Sequence, residues 1–168
     1  MGQRAISVGI LMGSSSDLEA MRSAGQVLSQ LEISHELRIM SAHRTPDVVD
    51  AYVADAPARG VQILICAAGM AAHLAGAVAG RTQLPVIGVP LGASLGGMDA
   101  LLATVQMPPG VPVATVAVGR AGAKNAAWLA ARILALGDEE LRVRLHAAVE
   151  GMAVKVRKAD AELLAEQG

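Results

Sequence analysis

The chain has 168 residues, 14 basic and 15 acidic side chains, and a formal net charge of −1; that length suits one domain with a real core, and that balance gives no electrostatic case for nucleic acid or an anionic membrane surface. The lone cysteine, Cys66, excludes an intrachain disulfide and fits no zinc-ligand spacing, so it reads as a buried thiol in a reducing compartment. Hydrophobic residues reach 53% against 17% charged, with no Phe and 18 Gly, a surplus of small apolar side chains that predicts a homo-oligomer with broad subunit contacts.

In chain order, residues 6–12 are a continuous apolar run of strand length. Ser16-Asp17 is positioned to cap a helix reaching about residue 31, with Leu18, Met21, Val27, Leu28 and Leu31 on its inner side. A strand is predicted over 35–40 and a helix over 46–59, where Pro46 suits the first turn. Residues 61–66 read as a strand apolar enough to be buried on both faces. A short helix over 71–80, a strand over 85–89, a helix over 96–104 and a strand over 113–118 follow. The Ala-rich stretch 124–136 is helical. Asp138 caps a last helix with Leu141, Leu145, Val149, Met152 and Val156 at helical spacing.

Residue 6 is Ile, which breaks the myristoylation pattern after Met1-Gly2. Neither a signal peptide nor a membrane span is predicted, and a cytoplasmic location is the expectation.

Alternating strand and helix with continuous apolar strands means a parallel sheet covered on both faces, an α/β three-layer sandwich. Ligands in such folds sit beyond the carboxyl ends of the strands. That rule gathers residues 13–17, 41–45, 67–73, 90–97 and 119–122.

Gly13-Ser-Ser-Ser-Asp17 places three hydroxyls and a carboxylate at a helix start. The hydroxyls suit an anion; Asp17 is either an N-cap or a partner for ribose hydroxyls. The loop is neither a Walker motif nor a dinucleotide fingerprint, and residues 119–125 match a phosphate loop only superficially. Ser41-Ala-His-Arg-Thr-Pro46 is the most informative stretch, because an imidazole, a guanidinium and two hydroxyls crowd one strand-to-helix turn. Arg44 offers a fixed charge to phosphate beside the His43 imidazole. His73, in a small-residue turn at the same sheet edge, either binds a carboxylate or satisfies a backbone carbonyl. Two histidines without an acidic cluster do not make a metal site. Fold class alone leaves a flavin carrier and a phospho-receiver module open. One Trp and one Tyr are too few aromatics to stack a flavin, and Asp17 alone is too little acid for a receiver's Mg2+.

With these turns assembled, the chain resembles the N5-carboxyaminoimidazole ribonucleotide mutases of purine biosynthesis. The match runs over residues 6–136. It rests on an ordered set: Met12-Gly-Ser-Ser-Ser-Asp17, Ser41-Ala-His-Arg-Thr-Pro-Asp47, Gly69-Met-Ala-Ala-His-Leu74, Pro85-Val-Ile-Gly-Val-Pro90, Val105-Gln-Met-Pro108 and Gly119-Arg-Ala-Gly-Ala-Lys-Asn-Ala126. The resemblance implies a flavodoxin-like sandwich assembled as an octamer. It implies transfer of a carboxylate from the exocyclic nitrogen of an imidazole nucleotide to ring carbon C4, with no metal, ATP or other cofactor. It also implies roles: Ser14, Ser16 and Asp17 on the ribose phosphate end, Ser41 and Arg44 on phosphate, a lone His43 as general acid-base, and Gly69, Ala71, Ala72, His73 and Leu74 facing the carboxylate. The chain departs from the family's frequent Gly-Gly at Gly69-Met70 and from its Leu-Pro-Gly at Leu74-Ala75-Gly76. A related branch that takes free CO2 tends to carry Lys after the histidine; Arg44 and Ala-Ala-His-Leu favour the mutase branch.

Overall fold

The computed structural model describes residues 6–93 and 95–167. Five strands, β1 (Val8–Met12), β2 (His35–Ile39), β3 (Ile63–Gly69), β4 (Val86–Leu91) and β5 (Ala114–Thr115), form one sheet in the order β2-β1-β3-β4-β5. Every pairing is parallel. This is the flavodoxin-like order, whose switch point lies between β1 and β3. The helices are α1 (Leu18–Gln30), α2 (Pro46–Asp55), α3 (Leu74–Ala79), α4 (Met98–Val105), α5 (Gly119–Leu134) and α6 (Glu139–Gln167), with short 3-10 turns at Ser15–Asp17 and Ala56–Arg59.

Side chains alternate across a strand, so each buried strand serves two cores. Ile10, Ile63, Ile65 and Val89 pack on α1, α5 and the start of α6 through Met21, Leu28, Ala126, Ala127 and Leu141. Leu11, Leu64, Cys66 and Val86 pack on α2 and α3 through Val49, Tyr52, Val53, Leu74 and Val78. Complete burial pushes the Cys66 thiol well above its ordinary range, which keeps it un-ionised. Position 9 is glycine for space: a Cβ there would collide with the Tyr52 hydroxyl. That hydroxyl donates to Glu36 Oε1 at 2.8 Å, and Arg59 Nη1 holds the same oxygen at 2.7 Å. The network braces α2 against the edge strand β2.

The structure departs from expectation at β5 and at residues 119–122. β5 was expected over 113–118 but pairs only at Ala114–Thr115, after which Val116 N donates to Gly88 O at 3.1 Å. Pro90, two residues beyond Gly88, faces the same side and has no N–H to continue the ladder. The segment 119–122, expected as a ligand-binding turn, is instead the first turn of α5. A Cβ at residue 122 would collide with the Ala117 carbonyl, so glycine lets the helix start hard against its own strand exit. The last helix is capped as expected, with Leu141 N donating to Asp138 Oδ1 at 2.9 Å. Only its first turns are covered: Leu141 is buried, while Val149, Met152 and Val156 are exposed. Among the described residues no helix is long and apolar enough to cross a membrane.

Candidate active site

The turns after β1, β2 and β3 and the end of β4 converge at the carboxyl edge of the sheet. They enclose a cavity of about 590 Å3 lined by Gly13, Ser14, Ser16, Asp17, residues 41–44, residues 68–74 and residues 91–93. Every candidate residue named from the sequence lies on this wall, including Leu74, whose side chain is otherwise buried. Residues 119–122 do not. A larger hollow, about 700 Å3, opens at the opposite sheet edge between Val53, Pro57, Arg81 and Val111. Its one cation, Arg81, is paired with Asp50, and no imidazole lines it.

The first turn closes on itself. Ser14, rather than Ser16-Asp17, is the cap: Ser16 N donates to Ser14 Oγ at 3.3 Å, and Ser14 N donates to Asp17 Oδ2 at 3.1 Å. Ser16 Oγ donates toward Ser14 Oγ at 3.0 Å and Asp17 Oδ1 at 3.2 Å. This reciprocal capping box presets the hydroxyls at the mouth. Burial raises the Asp17 carboxyl above its ordinary value, against the opposing pull of the Ser16 hydroxyl, the Ser14 amide and the Arg44 charge.

The second turn is clamped between its ends. Thr45 N donates to Ser41 O at 2.9 Å, Ser41 N donates to Thr45 Oγ1 at 2.9 Å, and Thr45 Oγ1 lies 3.3 Å from Ser41 O. Ser41 Oγ accepts from the amides of His43 and Arg44 at 3.3 and 3.2 Å. The Ser41 oxygen is therefore occupied and its hydrogen remains for an anion. Arg44 Nη2 donates to Gly13 O at 2.9 Å, tying the second turn to the first. Thr45 thus positions His43 without touching the cavity. Thr45→Val should lower kcat by about 5–10-fold, the worth of ~1 kcal/mol of lost clamp, with KM little moved. Steady-state kinetics checks the split; an equal effect on KM would assign Thr45 to binding instead.

His43 is not a lone imidazole. Its Nε2 lies 2.8 Å from Nδ1 of His73, with ring centroids 4.9 Å apart and planes inclined at 78°. One ring must donate and the other accept, so the two tautomers are coupled. Neither sequence reading of His73, as a carboxylate ligand or a carbonyl donor, foresaw this. The rings come from turns 30 residues apart, and only the placement of both at one sheet edge hinted at it. Both imidazoles are exposed in the chain, as are Arg44 and Ala71. Among the described residues no group of three or more His, Cys, Asp or Glu is placed to hold a metal ion.

The third turn carries backbone strain. Met70 and Ala72 both have left-handed φ, 55° and 42°, which costs about 1–2 kcal/mol for a residue with a Cβ. Ala72 N donates to Gly69 O at 3.0 Å and closes the turn. Ala68, one of the small residues suited to a pocket for a tiny molecule, lines the cavity, and so do Met70, Leu91, Gly92 and Ala93. The last three fall in the 90–97 segment that the sheet-edge rule had gathered.

The AIR carboxylase family model matches residues 7–155. The chain is 50% identical over 163 residues to the N5-carboxyaminoimidazole ribonucleotide mutase of Brucella melitensis, covering 96% of each. It is 52% identical over 139 residues to the mutase of that name from Bacillus subtilis, covering 82% of this chain and 86% of the relative. Its fold matches the crystal structure of Treponema denticola PurE with a TM-score of 0.84 and 34% identity, over 93% of this chain and 97% of that one.

Proposed function

The chain belongs to the AIR carboxylase family, and from that premise we propose that it converts N5-carboxyaminoimidazole ribonucleotide to 4-carboxy-5-aminoimidazole ribonucleotide in de novo purine biosynthesis. The observation that carries the reading is the His43–His73 pair, at 2.8 Å, set in the wall of a cavity whose other turns present Ser14, Ser16, Asp17, Ser41 and Arg44. Anion grip and proton transfer meet at one mouth.

The chemistry follows from those groups. His43 gives a proton to the exocyclic carbamate nitrogen. The C–N bond breaks with its electrons going to nitrogen, and CO2 leaves an electron-rich aminoimidazole. C4 then bonds to the CO2 carbon, and the C4 proton returns to His43. The net proton count is zero. His73 fixes the His43 tautomer and shares the proton between the two steps. Holding CO2 beside C4 supplies the proximity gain. Arg44 and the Ser41 hydroxyl hold phosphate; Asp17 accepts from ribose hydroxyls. The carboxylate arrives on the substrate already, so the step calls for no metal, ATP or biotin. The direct test is consumption of N5-carboxyaminoimidazole ribonucleotide without added bicarbonate. Stoichiometric 4-carboxy product supports the mutase, and a strict requirement for bicarbonate with aminoimidazole ribonucleotide indicates the branch that uses free CO2.

The same reading makes the chain a cytoplasmic homo-oligomer, an octamer. Exposed Leu95, Met98, Leu102 and Val105, on and just before α4, support association beside the cavity wall at residues 91–93.

Asp17 sets a pH expectation. Its carboxyl is raised in the folded chain, so the stability it contributes is present below the ordinary Asp value and lost as pH rises through the folded one. At neutral pH the ionised group is a folding cost that binding turns to use. Asp17→Asn should therefore leave the thermal midpoint at neutral pH unchanged or raised, while KM increases by about 10-fold from the lost charge-assisted bonds. The acid limb of kcat/KM should also lie above that of an ordinary Asp. A scan of midpoint and kinetics against pH checks both, and a large fall in the midpoint would contradict this.

A further inference from the structure

Resting on the mutase reading, we infer that Met107 is a positioning residue: its thioether seats in a notch at Gly76 and fixes the short helix that begins at His73, and so the approach of His73 to His43. Neither Met107 nor Gly76 lines the cavity, and the Val105-Gln-Met-Pro108 segment has no part in the chemistry above. A Cβ at residue 76 would lie 3.0 Å from Met107 Sδ and 3.3 Å from its Cε, so the thioether stands where an alanine methyl would need room. Glycine inside a helix is a stability cost against alanine; here it permits the close approach. Met107 is half-buried, and its backbone is held to the end of α4. Gln106 N donates to Leu102 O at 3.3 Å, and Met107 N donates to Val105 O at 2.9 Å. The contact therefore ties a fixed point after α4 to α3.

The pose of α3 matters because His73 is its N-terminal boundary. The helix has six residues, too few to hold its own geometry in water, so contacts on its flanks set it. Leu74, Ala75 and Val78 face the core, and Met107 closes on the helix at Gly76. His73 O accepts from Ala77 N at 2.9 Å, which joins the His73 backbone to the helix. Immediately before His73 lies the turn with Met70 and Ala72 at left-handed φ, a conformation that persists only where its surroundings hold it. The 2.8 Å contact between His73 Nδ1 and His43 Nε2 is directional and weakens steeply as its angle fails. A misplacement of about 1 Å at reacting groups costs rate steeply. The proposed phosphate and ribose contacts lie on the first two turns, so Met107 acts on kcat and leaves nucleotide binding alone.

The test joins steady-state kinetics on N5-carboxyaminoimidazole ribonucleotide to nuclear magnetic resonance of protein labelled with 15N-histidine. Met107→Ala should lower kcat by about 5–10-fold with KM changed less than about twofold. It should also shift or broaden the imidazole signals of His43 and His73, while those of His35 and His146, the other two histidines, stay in place. Met107→Leu, of similar volume, should remain within about twofold of wild type. Gly76→Ala keeps the contact in crowded form and gains helix propensity, so it should lose less than Met107→Ala at an undiminished thermal midpoint. In the double variant Gly76→Ala/Met107→Ala the added methyl refills part of the vacated notch. Its kcat should rise above that of Met107→Ala, a non-additivity expected of residues in contact. Wild-type kcat in Met107→Ala, or a double variant no faster than it, overturns the role of Met107. Movement of all four histidine signals together makes Met107 a general packing residue and overturns it as well. A wild type that leaves the substrate untouched overturns the mutase reading itself, and the histidine signals still decide whether Met107 sets the imidazole pair.

Discussion

His43→Asn should cut turnover by about 100- to 10,000-fold while nucleotide affinity stays close to wild type. Asparagine keeps a polar group facing His73 but cannot carry a proton at any working pH. The proposed phosphate grip lies elsewhere, on Ser41 and on Arg44, which is itself anchored to Gly13 O. Single-turnover kinetics and calorimetric titration with aminoimidazole ribonucleotide separate the two effects. Turnover near wild type with normal binding would remove His43 from the chemistry. A parallel collapse of both would make it a binding residue.

Arg44→Met should raise the dissociation constant for the nucleotide by about 10- to 100-fold, the worth of ~1.5–3 kcal/mol for a charge-assisted bond. Methionine keeps much of the apolar stem and removes the fork. The same substitution frees the Gly13 carbonyl, so the first and second turns lose their tie. The nucleoside lacking phosphate is the control: its weaker binding should change little. If nucleoside and nucleotide suffer equally, Arg44 acts by holding turns together and phosphate lies elsewhere.

Much of this was legible in the chain because periodicity and turn chemistry agree. The β1 and β3 runs are apolar at successive positions, which only a sheet buried on both faces requires, and the observed cores divide those residues between two helix layers. Convergence of the 13–17, 41–45 and 67–73 segments followed from strand polarity alone. The misses have equally physical causes. Residues 119–122 carry two glycines and looked like a loop, but one of those glycines allows the helix to begin against the Ala117 carbonyl. β5 ends early because Pro90 lies on a neighbouring strand, a constraint that is non-local in sequence. The capping role fell to Ser14 instead of Ser16-Asp17 because a 3-10 turn precedes α1. The imidazole pair needed side-chain directions from two separate turns, and no one-dimensional spacing encodes those. The left-handed φ of Met70 was hidden for the same reason: the local sequence Gly-Met-Ala-Ala states no turn type.

The most direct test of the account is a crystal structure with aminoimidazole ribonucleotide bound. The account predicts phosphate against Arg44 and Ser41, ribose hydroxyls on Asp17, and C4 within about 3.5 Å of the His43 ring, opposite Ala71 and Ala72. A nucleotide seated with its imidazole remote from both histidines, or with its phosphate in the hollow beside Arg81, would contradict it.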